Sequence, residues 1–267
     1  TITGGTLKVT NASGLGTGSG NNVSLAQSTA LNYAASADAQ LAIGGTLSIT
    51  SGGTTTIGGS IGATTTSAQV NVAGLATATT GAVKVNVYGI NGASPSTGTY
   101  TLFNSANGSS TLNNPTYSLG FVYNNTNFTV GTPTGTATSV TVPITSVAGL
   151  TSAYWKGGLS SAAGVWAASN GSASNWATDL GGTATGLIPG ADTDVYFAVT
   201  SPAYDPNNAT VLGASMTVKS LQFTRTNQSI NVNGDGSTLT IGAGGIVQSA
   251  TNNGNIQLNM PITLSAP

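Results

Sequence analysis

The chain has 267 residues, of which 39% are apolar and only 4% charged, with a net charge of −1, no His and no Cys. Its acids are Asp38, Asp179, Asp192, Asp194, Asp205 and Asp235, and its cations Lys8, Lys84, Lys156, Lys219 and Arg225; an ordinary soluble domain is about a quarter charged. That inventory removes thiol and imidazole chemistry, and five scattered cations form no patch able to neutralise phosphates, which argues against a nucleic-acid partner.

In chain order, residues 6–10 read Thr-Leu-Lys-Val-Thr, with Leu7 and Val9 on one face and Lys8 on the other. The same alternation returns at residues 46–50, 69–72, 82–87, 139–144, 229–232, 238–241 and 255–260. A period of two places apolar side chains on one face of a strand. Gly-Gly, Asn-Gly and Ser-Gly pairs separate these runs, as turns that need positive φ require. Residues 24–43 come nearest to a helical pattern, but Ser, Asn and Asp interrupt it. Every apolar run is too short for the roughly 20 residues of a membrane helix, so no membrane insertion is expected. Patterned apolar residues and a small net charge are also unlike a disordered chain.

Gly4-Gly5-Thr6-Leu7 recurs at residues 44–47, an offset of 40 residues. Two rungs of about 20 residues each would produce that offset, and periods of this size mark solenoids. Between about 92 and 148 the strands lengthen and gain aromatics: Tyr100, Phe103, Tyr117, Phe121, Tyr123 and Phe128. Asn124-Asn125 and residues 131–135 sit between them like hairpin turns. The expected fold is all-β: parallel β-helix (β-solenoid) segments with an antiparallel β block as a cap. Its divisions are rungs over 1–91, the antiparallel block over 92–150, and a Trp-rich cap followed by further rungs over 151–267.

All three tryptophans belong to the last division. Tyr154-Trp155-Lys156-Gly157-Gly158, Gly164-Val165-Trp166, Asn175-Trp176, Ile188-Pro189-Gly190-Ala191-Asp192 and Val195-Tyr196-Phe197 follow in order. This set resembles the opening module of bacterial autotransporter-associated β-strand repeat proteins. Residues 210–223 and 239–241 look like the rungs that follow it, and residues 2–18 resemble the repeat unit itself. The resemblance implies a secreted or surface-attached β-helical protein of a Gram-negative type of bacterium, planctomycetes and verrucomicrobia included. It carries over no catalytic or cofactor residue, and this chain contains no outer-membrane barrel.

Trp155, Trp166 and Trp176 are expected to be buried in one structural cap, since buried Trp contributes large apolar area and one N–H to satisfy; the competing role is a sugar-stacking surface. Asp192, Asp194 and Asp205 are oxygen donors of the kind Ca²⁺ takes, but their irregular spacing reads as turn formation. Gly58-Gly59-Ser60-Ile61-Gly62 matches a nucleophile elbow, yet no His exists to act as base. The chain is therefore expected to be neither an enzyme nor a cofactor or metal binder. Both ends lie in strand text, with Ile2, Leu7 and Val9 at one and Ile262 and Leu264 at the other. Open solenoid ends are templates for pairing, so the expected function is an extracellular structural protomer joining head to tail with copies of itself. The alternatives are an adhesin segment that holds a glycan or a host surface, and an ice-binding solenoid using Thr54–Thr56 and Thr64–Thr66.

Overall fold

The computed structural model describes residues 1–197, 199, 202–227 and 229–265. Among them there is no helix. The chain divides into two compact units, one made of residues 1–122 and 130–146, the other of 123–129 and everything from 147 onward. Each is a parallel β-solenoid. Residues 92–122 and 130–146 thus belong to the same unit as residues 1–91.

The first unit has three walls. One stacks Thr6–Val9, Ala30–Tyr33, Thr56–Ile61, Gly81–Gly89 and Pro115–Tyr123. A second stacks Val23–Leu25, Leu47–Ile49 and Ala76–Ala78, and a third stacks Leu41–Ile43, Val70–Val72, Gly98–Ser105 and Ser139–Ser146. Thr6 pairs with Ala30, Ala30 with Thr56 and Thr56 with Lys84, so successive turns take 24, 26 and 28 residues. In register, Leu7, Leu31, Ile57 and Val85 form one column along the bore, and the last three are fully buried. Alternation explains this: with one side chain in and the next out, parallel in-register stacking lines up like residues on a continuous apolar row.

The rung length corrects the expectation of about 20 residues. Thr6-Leu7 lies in the first wall, whereas Thr46-Leu47 lies at and within the second, so the 40-residue echo links two walls rather than two rungs. Residues 24–43 contribute three strands, one to each wall.

Some outward positions of the first wall are also covered, whereas Lys8 and Lys84 are exposed. Asn32 and Asn86 are buried, and Asn86 Nδ2 donates to Asn32 Oδ1 at 3.2 Å across the intervening rung. That rung places Gly58 between them, where a Cβ would collide with Asn32 Oδ1. Asn86 Oδ1 in turn accepts from Phe121 N at 2.8 Å, beside Gly120, where a Cβ would again be in the way.

The antiparallel block begins at Gly98–Ser105. One edge of that strand pairs parallel with Val70–Val72, and the other pairs antiparallel with Ser139–Ser146 through a bulge between Thr101 and Phe103. Thr134–Gly135 folds back antiparallel on Ser139–Ser146. The hairpin turn is tied by Thr136 N to Ser139 O at 2.8 Å and Ser139 N to Thr136 Oγ1 at 3.0 Å. A tight turn can only return the chain antiparallel, whereas the parallel rungs need a long connection.

The second unit stacks Ser152–Trp155, Asp194–Tyr196, Met216–Phe223, Leu239–Gln248 and Ile262–Leu264 in one parallel wall, and Thr210–Val211, Ile230–Asn233 and Ile256–Asn259 in another. Asp194 to Ser220 is a step of 26 residues, and Met216 to Leu239 one of 23. The first step, Ser152 to Asp194, takes 42. The excess returns as Trp176–Ala177, which pairs antiparallel with the outer edge of Ser152–Trp155. Residues 123–129 complete this unit: Asn124 N donates to Ala167 O, Asn124 Nδ2 to Ser215 O at 2.9 Å, and Asn125 Nδ2 to Gly186 O at 2.7 Å.

Candidate functional site

Alternation along Ser152–Trp155 turns Ala153 and Trp155 inward and Ser152 and Tyr154 outward. The paired strand repeats the pattern with Val195 and Phe197, and the next with Leu221 and Phe223. Trp155, Phe197 and Phe223 therefore follow one another along the bore, Phe197 and Phe223 stacked at 5.3 Å. Trp166 and Trp176 join from the long insertion. Trp176 meets Trp155 at 5.1 Å and Trp166 at 5.6 Å, both nearly edge to face, the arrangement that ring quadrupoles favour.

The three indoles are at most 1% exposed. Each N–H is used: Trp155 Nε1 donates to Tyr204 O at 2.9 Å, Trp166 Nε1 to Thr210 Oγ1 at 3.0 Å, and Trp176 Nε1 to Trp166 O at 2.8 Å. No indole face is open to a sugar ring. Around the cluster, residues 156–165 are organised by Asn175, which is fully buried. Its Oδ1 accepts from Leu159 N at 2.8 Å and its Nδ2 donates to Ala162 O and Val165 O, both at 2.7 Å. Its backbone carbonyl accepts from Lys156 N and Gly157 N. The ordered set in the sequence includes Asn175 beside Trp176 but gives it no role of its own; Asn is so common here that composition hides it.

Outside the bore of the same wall, Tyr154 and Tyr196 are partly exposed and stacked at 4.9 Å, 15° from parallel. Beside them Asp194 takes Lys219 Nζ at 2.8 Å and Ser220 Oγ at 2.6 Å. Partial burial pushes the Asp194 carboxyl up, but the hydrogen bonds from Lys219 and Ser220 outweigh it and hold the group below its ordinary value.

The other carboxylates hold turns. Asp38 Oδ2 accepts from Ala63 N, Asp205 Oδ1 from Asn207 N, and Asp235 from Gly213 N and Ser237 N. Hydrogen bonds from the Thr183 hydroxyl and backbone N–H hold Asp179 below the usual carboxylate range. Asp192 is exposed, and no three acidic groups converge among the described residues. Ser60 is 2% exposed; its hydroxyl donates to Tyr33 O and accepts from Ala35 N, both at 2.8 Å, so it braces two rungs. A polar cleft of about 410 Å³ is bordered by Asp205, Asn207, Arg225 and Asn227, with Arg225 Nη1 committed to Val199 O.

The threonine triplets form no common rank. Thr55 is buried and donates to Thr50 O and Gly52 O, while Thr64–Thr66 lie in a turn. Hydroxyls do align across rungs elsewhere: Ser24, Ser48 and Thr77 on the outside of the second wall of the first unit, and Thr217, Thr240 and Thr263 along the long wall of the second unit.

Residues expected at open ends divide. Along the columns of the second unit, Met216 and Leu239 are 1% and 0% exposed and Ile262 is 38%; Val218 and Ile241 are 0% and Leu264 is 68%. Ile246, in register with fully buried Leu221, is 47% exposed because Ile262–Leu264 covers only the first half of its strand. Leu7 is 38% exposed beside fully buried Leu31. Val9 and Ile2 correct the expectation. Val9 is 6% exposed, tucked under the turn that contains Gly14, and Ile2 is bound into the second wall by Ser24 O and Ala26 N. Pro267 lies outside the described residues.

No family model matches the chain, and comparison with curated proteins and with solved structures gives no match.

Proposed function

We propose that this chain is an extracellular structural protein whose solenoid ends are joined by further copies of itself, building a fibre, sheath or matrix. One observation carries the reading: apolar columns at 0–1% exposure inside the stack lead out to Leu7, Ile246, Ile262 and Leu264, all 38% exposed or more. A further parallel rung would pair the free strand edges and bury those side chains together. The contact is heterologous, one kind of end meeting the other, and such contacts propagate into open filaments unless the rotation closes a ring. Likeness of residues 152–223 to the autotransporter-associated β-strand repeat proteins supports a surface location. The absence of His, Cys and Glu from the composition agrees with a structural role.

Sedimentation and negative-stain imaging of the full chain test this. Assemblies should lengthen with concentration and persist in high salt, because apolar packing and backbone pairing, rather than charge, would hold the joint. Leu264→Asp together with Ile246→Asp should abolish them. A monodisperse monomer at micromolar concentration, or dissociation by modest salt, would overturn the reading. The stacked Tyr154–Tyr196 pair, partly exposed beside Asp194, Lys219 and Gln222, favours a second role as a glycan-holding adhesin face. Loss of saccharide binding in Tyr196→Ala with unchanged assembly would select it.

A further inference from the structure

The chain contains five Asn-Gly pairs: Asn91-Gly92, Asn107-Gly108, Asn170-Gly171, Asn233-Gly234 and Asn253-Gly254. In such a pair the backbone nitrogen of Gly, unshielded by a Cβ, can attack the Asn side-chain carbonyl carbon. A bond forms between the Gly nitrogen and Cγ, the Cγ–Nδ2 bond breaks, and ammonia leaves with the proton, giving a cyclic imide. Water then opens the ring at Cγ to give an aspartyl residue, or at the backbone carbonyl to give an isoaspartyl residue. No oxidant or co-reactant is needed. The attacking N–H must be released from any hydrogen bond, and the peptide must have room to turn.

The five sites differ in both respects. Gly171 N is held by Ser169 Oγ at 2.9 Å, and Asn170 Oδ1 is engaged by Ser172 N, Ser172 Oγ and Ala173 N. Gly254 N is held by Asn252 Oδ1 at 2.9 Å. Asn233 ends a strand paired with Asn259, and a Cβ on Gly234 would lie 2.7 Å from Asn259 O. Gly92 and Gly108 sit instead in exposed turns, closed by Ala93 N to Ile90 O and by Ser110 N to Asn107 O. A Cβ on either would meet nothing within 4 Å. Asn107 Oδ1 accepts from Ser109 N at 2.9 Å much as Asn170 Oδ1 accepts from Ser172 N, so what separates these two sites is the hydrogen bond that holds Gly171 N.

We infer that Asn91 and Asn107 are sites of spontaneous deamidation in the folded protein, and that the fold protects the other three pairs. The two sites flank the strand Gly98–Ser105, where parallel pairing gives way to antiparallel. Conversion at both adds two carboxylates, moving the net charge from −1 to −3. An isoaspartyl at 107 also lengthens the backbone next to the buried Ser105–Ser110 hydroxyl pair, 2.8 Å apart.

The test ages the full folded chain in mildly alkaline buffer, then maps peptides with isoaspartate-specific labelling. Positions 91 and 107 should convert about tenfold faster than 170 and 253, the factor that one hydrogen bond lost on the way to the transition state is worth. In concentrated urea the five rates should converge, and Gly108→Ala should slow position 107 alone. Conversion at 170 or 253 matching that at 91 and 107 in the folded chain would overturn the inference. So would one ranking common to the folded and unfolded chains.

Discussion

Replacing Asn175 by Ala removes one small side chain, yet it should be among the most damaging changes to the second unit. Two backbone groups lose their partner at once, Leu159 N–H and Val165 C=O, while Ala162 C=O loses one of its two donors and keeps Val165 N. The site is fully buried, and each orphaned polar group costs roughly 1–2 kcal/mol after water adjusts around it. The expected loss is therefore about 2–4 kcal/mol. Urea unfolding followed by tryptophan fluorescence reads it directly, since all three indoles lie in the cluster that Asn175 supports. Asn170→Ala is the control. Its side chain also makes three hydrogen bonds, but in an exposed turn, where water replaces them, so the loss should stay below about 1 kcal/mol. Asn175→Asp should be worse than Ala at neutral pH, because it keeps an acceptor for Leu159 N but turns a charge toward two carbonyls. Partial recovery on acidification would follow as the carboxyl protonates. A loss under about 1 kcal/mol for Asn175→Ala, or equality with Asn170→Ala, would refute the claim that burial makes this network matter.

Trp166→Ala should cost about 3–5 kcal/mol as a fully buried ring with a satisfied N–H is deleted; calorimetry showing an unchanged melting temperature would count against the buried cluster. Asn125→Ala lies in the first half of the sequence, but it should lower the tryptophan-monitored melting of the second unit by about 1–2 kcal/mol, through loss of a buried bond to Gly186 O; no change there would show that residues 123–129 are dispensable to that unit. Stability should be flat between about pH 5 and 9, since no side chain of ordinary His type titrates there. Asp179 and Asp194 have lowered values, so their contribution is present above the unfolded carboxylate range and fades as pH falls below about 4. Burial raises the Tyr117 phenol, so stability should fall again above about pH 10. A midpoint shift between pH 5 and 8, read by urea titration, would contradict this.

How much of this was readable along the chain depends on the range of the interactions. Alternation is local, so the strand at Leu47–Ile49, the strand at Ile256–Asn259 and the inward direction of Leu47 and Ile49 followed from neighbours alone. The burial of Trp155, Trp166 and Trp176 together was anticipated from their grouping, and no other residue type present fills as much bore. Rung length was not readable. It depends on how many residues each turn between walls consumes, from 24 to 28 along the first wall, and that count carries no periodic mark. Identical text at Thr6-Leu7 and Thr46-Leu47 therefore serves two different walls. The polar partners also came only from tertiary structure. Asn32 and Asn86 meet across 54 residues, Asn175 is one Asn among many until Leu159, Ala162 and Val165 close around it, and Asn125 is claimed by Gly186. Val9 and Leu7 share one face of one strand, yet a turn covers Val9 and leaves Leu7 open. A side chain's direction is set by its own backbone, but what covers it is decided by whichever distant segment the stacking brings alongside.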